Sequence, residues 1–179
     1  WLTYVEAASG KSRNNRLPAV HAGGFEGALS LTTTDGGKWQ LDIKPTATPY
    51  RAIAGEKVVY PGRTIRREQD WLRFPVVGIT AAQAADYAAW LDQSGRVPGA
   101  RLCTDREWEF AARGADGREY PHGHFMNPDD ANFDATYAKD PTAMGLDEVG
   151  GHPTSDSPFG IADLSGNVWE WTTSSVEPT

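Results

Sequence analysis

Residues 159–172 read Phe159-Gly160-Ile161-Ala162-Asp163-Leu164-Ser165-Gly166-Asn167-Val168-Trp169-Glu170-Trp171-Thr172. Gly166 lets the chain turn, and Trp169 and Trp171 then lie two apart, on one face of an extended strand. Core packing is the expectation for both indoles. The run closes a stretch, Ala115 to Ser165, that is mostly loop and dense in Gly, Pro, Asp and Asn. Some fifty irregular residues in a compact domain require an organiser. Bound metal and aromatic anchors are the usual ones.

Upstream lies Arg101-Leu102-Cys103-Thr104-Asp105-Arg106-Glu107-Trp108-Glu109-Phe110-Ala111-Ala112-Arg113-Gly114. Thr104 and Glu107 match a capping box, and the acids sit at the positive end of a helix dipole. Trp108, Ala111 and Ala112 share one face, with Trp108 in the core, and Gly114 offers a left-handed stop. Thr80 and Gln83 repeat the capping pattern ahead of Ala84, Tyr87, Ala88 and Leu91 at helical spacing, until Ser94-Gly95 ends the run. Two helices are predicted.

Nearer the start, Ala28 to Thr32 and Lys38 to Ile43 alternate apolar with polar or small residues around Asp35-Gly36-Gly37, the pattern of a β-hairpin. Gly10 to Gly27 reads as a loop. Lys44 to Tyr50, with two prolines, leaves the sheet, and Glu56 to Tyr60 forms a short strand ended by Pro61-Gly62. There is no internal repeat.

The 179 residues suffice for one domain with a real core. Seventeen Lys and Arg against 24 Asp and Glu give a net charge of −7, which argues against nucleic acid, whose phosphates reward clustered cations. Arg63, Arg66 and Arg67 are followed at once by Glu68 and Asp70 and read as a solvated face. The most apolar stretch, Phe74 to Leu91, carries Gln83 and Asp86 and is too short and polar for a membrane span.

One cysteine, Cys103, excludes an internal disulfide framework and any multi-thiolate zinc or iron–sulfur site. It suits a reducing cytosol, so a cytoplasmic location is favoured. Preceding a helix cap, with no His or Lys beside it, Cys103 reads as a buried small hydrophobe. His122 and His124 have metal-compatible spacing but no supporting carboxylate or thiol, His21 and His152 are distant in sequence, and Asp129 and Asp130 read as loop acids. Nucleophile-elbow, P-loop, dinucleotide and His-Glu-x-x-His patterns are lacking, and no carboxylate pair stands out as an acid/base dyad.

Residues 101–114 and 159–172, with Tyr120-Pro121-His122-Gly123, Ala131-Asn132 and Pro75-Val76-Val77-Gly78-Ile79, resemble the formylglycine-generating enzyme family of sulfatase-modifying domains. The resemblance covers residues 75–174. Residues 1–50 match poorly, and 1–179 is read as one domain. Cys103 stands where the family has a proline, and His122 where it has a tryptophan. The resemblance implies an α+β, C-type-lectin-like fold, rich in loops, with two helices beside a small twisted sheet. It also implies that the closing part of the domain is missing and lies beyond Thr179, so a covalent or non-covalent remainder of the same fold is an expected partner.

The same resemblance implies structural calcium at Asp163, Gly166, Val168 and Glu170. The residue types suit it, because calcium takes about six to eight oxygens from carboxylates and carbonyls. The alternative is that Glu170 pairs with an arginine and Asp163 caps a turn. A second implied site uses the Asn132 side chain and the Phe133 carbonyl, with Asp140 the one later carboxylate available. In oxidising members two cysteines of the closing half bind copper. Other members lack them, being fused to kinases or serving as displayed binding proteins, including variable proteins of diversity-generating retroelements. The leading expectation is a non-catalytic, calcium-stabilised module that binds a protein or small ligand, with no catalytic residue in this chain. The alternative is a copper-dependent oxidase that converts a sulfatase cysteine to formylglycine, its metal thiols lying outside this sequence.

Overall fold

Alternation of side chains places the hairpin first. In the computed structural model, which describes residues 1–18, 29–46 and 48–174, β1 (Leu29–Thr33) and β2 (Trp39–Ile43) pair antiparallel with Leu31 opposite Leu41. The hairpin is the one expected, apart from Ala28, which with His21 lies outside the described residues. β3 (Tyr50–Ile53) joins the other side of β2, Ala52 opposite Leu41. Tyr50 was expected outside the sheet. Pro49 stops just short of the ladder, and Tyr50, an aromatic that suits a half-buried pleat, is already in register with Ile43. β4 (Val58–Val59) pairs with β5 (Glu68–Gln69) as a separate ladder.

One face of the three-stranded sheet presents Leu31, Trp39, Leu41, Ile43 and Ala52, which pack with Val5, Val58, Tyr60 and Trp71 into the core. Val5 comes from α1 (Leu2–Glu6), a helix the sequence reading did not anticipate. The Trp39 indole anchors it by donating to Glu6 at 2.8 Å.

The segment read as a loop from Gly10 begins instead with a helix, α2 (Gly10–Asn15). Its intrinsic propensity is weak, since Gly and Asn disfavour helix. It is held from outside: the Gln83 side chain donates to the carbonyls of Asn15 (2.8 Å) and Leu17 (3.0 Å).

α3 (Ala81–Gln93) and α4 (Asp105–Arg113) begin at the predicted capping boxes, with Thr80–Gln83 and Thr104–Glu107 bonded reciprocally. Gly114 ends α4 at φ +67°. Tyr87 and Trp90 of α3 pack on Tyr4 of α1, rings 5.4 Å apart in both cases.

Among the described residues past Gly114, up to 174, the chain forms no helix or strand apart from a 3-10 turn at Pro153–Ser155, as its composition suggested. A buried ionic node organises it. Arg63, expected on a solvated face, has a fully shielded side chain paired with an equally shielded Asp147. Its guanidinium lies between the rings of Tyr60 (3.9 Å) and Tyr137 (3.8 Å) and donates to the carbonyls of Ala143 (2.7 Å) and Gly145 (2.9 Å). An arginine can be buried so because its planar fork meets acceptors on its edges and aromatic faces above and below.

Asp147 also accepts from the Tyr137 hydroxyl at 2.6 Å and from His152 at 2.8 Å. Burial pushes its pKa up, and these donors together with Arg63 reverse that, leaving it below the ordinary carboxylate value. Asp130, expected as a loop acid, is buried and accepts from the Asn127 amide at 2.7 Å. Asp129 pairs with Arg66 at 2.5 Å. The result is an α+β, loop-rich chain in which one buried carboxylate ties the irregular half to the β4–β5 ladder.

Candidate functional site

The 159–172 segment folds back against α4. Four residues within it take positive φ: Gly160 (+72°), Asp163 (+61°), Gly166 (+73°) and Asn167 (+62°). Gly166 is required by close approach, since a Cβ there would lie 2.5 Å from the Asn132 carbonyl oxygen. That contact is a parallel bridge between Asn132 and Gly166, reinforced by the Asn167 amide donating to the Asn132 carbonyl at 2.8 Å. Further on, the Trp171 indole donates to the Ile79 carbonyl (2.9 Å), and the Thr173 amide to the Cys103 carbonyl (2.8 Å).

Between the segment and α4 lies a cleft of about 370 Å³. Asp163, Gly166, Val168 and Glu170, the four residues singled out in sequence, all line it. Asp105, Trp108 and Glu109 of α4 face them across it. These three were missed as site residues, although their i, i+3, i+4 spacing puts them on one helical face.

Among the described residues Glu170 pairs with no arginine. It accepts from the Trp108 indole, which is therefore half-buried and hydrogen-bonded rather than core. Asp163 accepts from the Gly150 amide at 2.6 Å. The Gly166 carbonyl accepts from the Val168 amide at 2.8 Å, in a tight turn. Asp105 accepts from the Ser174 hydroxyl at 2.8 Å, which with the Arg106 amide holds its carboxyl below the usual range. Glu109 pairs with Arg113 one turn on.

The donor set is carboxylate and carbonyl oxygen, the hard-ligand chemistry that calcium takes, and one oxygen of each carboxylate of Asp163 and Glu170 meets no protein donor among the described residues. Two carboxylates and two carbonyls fall short of six to eight ligands, so water or further chain would supply the rest. Among the described residues no three His, Cys, Asp or Glu side chains converge on one point.

Trp169 and Trp171, expected in the core, are fully and half exposed. Trp169 lines the cleft, whereas Trp171 is not among its lining residues. Phe110 and Phe159 are also exposed, with rings 5.3 Å apart.

Asn132 stands apart from the cleft but is tied to it. Its side chain donates to the Gly145 carbonyl (2.7 Å) and to Asn167 (3.0 Å), and the Phe133 carbonyl accepts from the Thr136 amide at 3.2 Å. Asp140 turns to its own neighbour, accepting from the amide and hydroxyl of Thr142, both at 2.8 Å. Cys103 is half-buried.

Helices capped by Thr-x-x-Gln and Thr-x-x-Glu, a small sheet and a loop half closed by a Trp-Glu-Trp segment define a sulfatase-modifying type of domain. The chain belongs to the sulfatase-modifying factor enzyme 1-like domain family, which matches residues 18–179, well upstream of the motifs. Among its relatives is the inactive C-alpha-formylglycine-generating enzyme 2 of Mus musculus, 39% identical over 66% of this chain and 37% of that protein. The formylglycine-generating enzyme of Mycobacterium tuberculosis is 36% identical over 58% of this chain and 34% of its own length. A serine/threonine-protein kinase, pkn1 of Chlamydia caviae, is 34% identical over 66% of this chain and 15% of that protein. The chain thus matches little more than a third of the first of these relatives. Among the described residues no helix is long and apolar enough to cross a membrane.

Proposed function

We propose that this chain is a non-catalytic, calcium-stabilised module that binds a protein or small ligand. The observation that carries the reading is the cleft between α4 and residues 163–170, which gathers Asp163, Gly166, Val168 and Glu170 on one wall. Calcium there would supply positive charge that draws the carboxylates of Asp163 and Glu170 together. The Gly166 and Val168 carbonyls would complete the inner wall, and α4 would be pinned to the Trp-Glu-Trp segment. Asn132 and Phe133 are the corresponding pair for a second calcium. The exposed faces of Trp169 and Trp171 suit contact with a further part of the same fold or with a partner.

Likeness to proteins named inactive supports the absence of catalysis. So does the donor set: copper(I) favours soft thiolates, and this chain has one thiol, half-buried beside a helix cap. Copper does not fit these residues.

Calcium that binds only the folded form stabilises it by about 2.7 kcal/mol at a hundredfold excess over Kd. Thermal unfolding with calcium and with a chelator should differ accordingly, and Asp163→Ala should remove the difference. Superimposable curves would end the calcium reading. Likeness to the mycobacterial enzyme keeps an oxidase as the second reading, with its thiols supplied by another segment. Oxygen-dependent conversion of a sulfatase cysteine peptide to the aldehyde by residues 1–179 with copper, followed by mass spectrometry, would establish it. No conversion is expected.

A further inference from the structure

We propose that His152 is a proton-operated latch: its imidazolium ties the Asp129 carbonyl to the Asp147 carboxylate, and loss of its proton loosens the 147–152 loop and the Asn167 contact made by that loop. His152 had no role in the sequence reading. It is 3% exposed, and each of its ring nitrogens faces an oxygen. Nδ1 lies 2.9 Å from the Asp129 carbonyl oxygen and Nε2 lies 2.8 Å from Asp147 Oδ2. A carbonyl and an ionised carboxylate only accept. A neutral imidazole has one N–H, so either tautomer would set a nitrogen lone pair against an oxygen lone pair in a buried site. The imidazolium alone satisfies both.

The charged surroundings agree. Asp147 carries the Arg63 pair and the Tyr137 hydroxyl as well as His152. Arg66 opposes the cation from the other side, but its own charge is engaged by Asp129 and its Nε donates to the Gly151 carbonyl at 3.0 Å. Asp130 adds negative charge nearby, held by His122 and Thr154. Burial by itself lowers the His152 pKa. The bonds to Asp147 and to the Asp129 carbonyl outweigh it, so the net shift is upward.

What the latch controls follows from connectivity. Asp147 is bonded through its backbone to the Asn167 side chain, and Asn167 in turn to Asn132. Residues 129, 132, 147, 152 and 167 therefore form one connected set, while α3 shares none of these bonds. A raised histidine pKa stabilises the folded form fully below the ordinary value of 6.5, and this is lost as pH rises through the folded value.

The test compares the full chain with His152→Gln and, as a control at an exposed histidine, His124→Gln. Between about pH 6 and about pH 9 the wild-type Tm should fall, His124→Gln should keep that slope, and His152→Gln should lose it. Peptide-level hydrogen exchange at about pH 6 should show residues 127–132 and 163–171 deprotected in His152→Gln, with 81–93 unchanged. A slope that survives in His152→Gln, or exchange that rises equally everywhere, overturns the proposal. Should His152→Gln fail to fold, nitrogen NMR of the wild-type histidines decides: one ring must stay doubly protonated above the ordinary histidine range, and four neutral rings there would refute the latch.

Discussion

Asn167 grips the backbone of Asp147 from both sides: its Oδ1 accepts from the Asp147 amide at 3.0 Å, and its Nδ2 donates to the Asp147 carbonyl at 3.1 Å. The same Oδ1 accepts from Asn132 at 3.0 Å. One side chain thereby joins the cleft segment to the buried ionic node, and it does so from a left-handed backbone, φ +62°.

Replacing Asn167 separates these two contributions. Asn167→Ala loses the side-chain bonds and leaves a Cβ in a conformation that only Gly and Asn adopt readily, for a cost of about 2 to 4 kcal/mol. Asn167→Gly loses the same bonds without the backbone strain and should be less damaging by about 1 kcal/mol. Urea unfolding of both variants measures the gap. Equal losses would mean that the φ value is not maintained in solution.

Gly145 is a second position where space decides. A Cβ there would meet the Tyr60 ring at 2.3 Å, and Tyr60 is fully buried against Arg63. Overpacking of this kind costs about 1 to 3 kcal/mol. Gly145→Ala should show that loss in chemical denaturation, and adding Tyr60→Leu should return less than the sum of the two single losses. Strict additivity would place the two residues out of contact.

These positions mark where sequence reading succeeded and where it stopped. Capping boxes at Thr80 and Thr104 and the alternation around Leu31 and Leu41 were legible because their causes are local. Asp163, Gly166, Val168 and Glu170 line one cleft because they fall in one short stretch of sequence. Arg63 read as solvated because its neighbours in sequence are charged, whereas its partners, Tyr137, Gly145 and Asp147, lie more than seventy residues away. Trp169 and Trp171 read as core because apolar bulk usually is, yet Trp169 is fully exposed and Trp171 half exposed, its indole bonded to the Ile79 carbonyl. α2 escaped notice because its support comes from Gln83, not from its own composition.

That support makes an unusual prediction for Gln83. Glu is the commoner partner in a capping box, and Gln83→Glu keeps the acceptor for the Thr80 amide. It also removes the two N–H bonds to Asn15 and Leu17 and turns a carboxylate oxygen toward their carbonyls. The variant should lose about 1 to 2 kcal/mol, with hydrogen exchange increased in residues 10–17 and unchanged at the start of α3. A neutral or stabilised variant would show that the Gln83 bonds to α2 do not form.

Arg63 and Asp147 supply the last prediction, because a buried ion pair behaves differently when halved than when replaced. Removing one partner strands the other charge away from water, at a cost of about 3 to 5 kcal/mol. Arg63→Met and Asp147→Asn should each be severe, Arg63→Met the more so because three carbonyls and two aromatic faces lose their partner as well. The double variant should be much less damaging than the sum, with a coupling of at least about 1 kcal/mol from a double-mutant cycle. Acid titration gives an independent reading of the same pair. The folded-state pKa of Asp147 is depressed, so its contribution is complete above the ordinary carboxylate value of 3.8 and is lost as pH falls through the folded value. Wild-type stability should drop across that acid range, and Asp147→Asn should flatten that part of the curve while starting from a lower plateau. A cycle without coupling, or an acid limb unchanged in Asp147→Asn, would show that the two charges do not depend on each other.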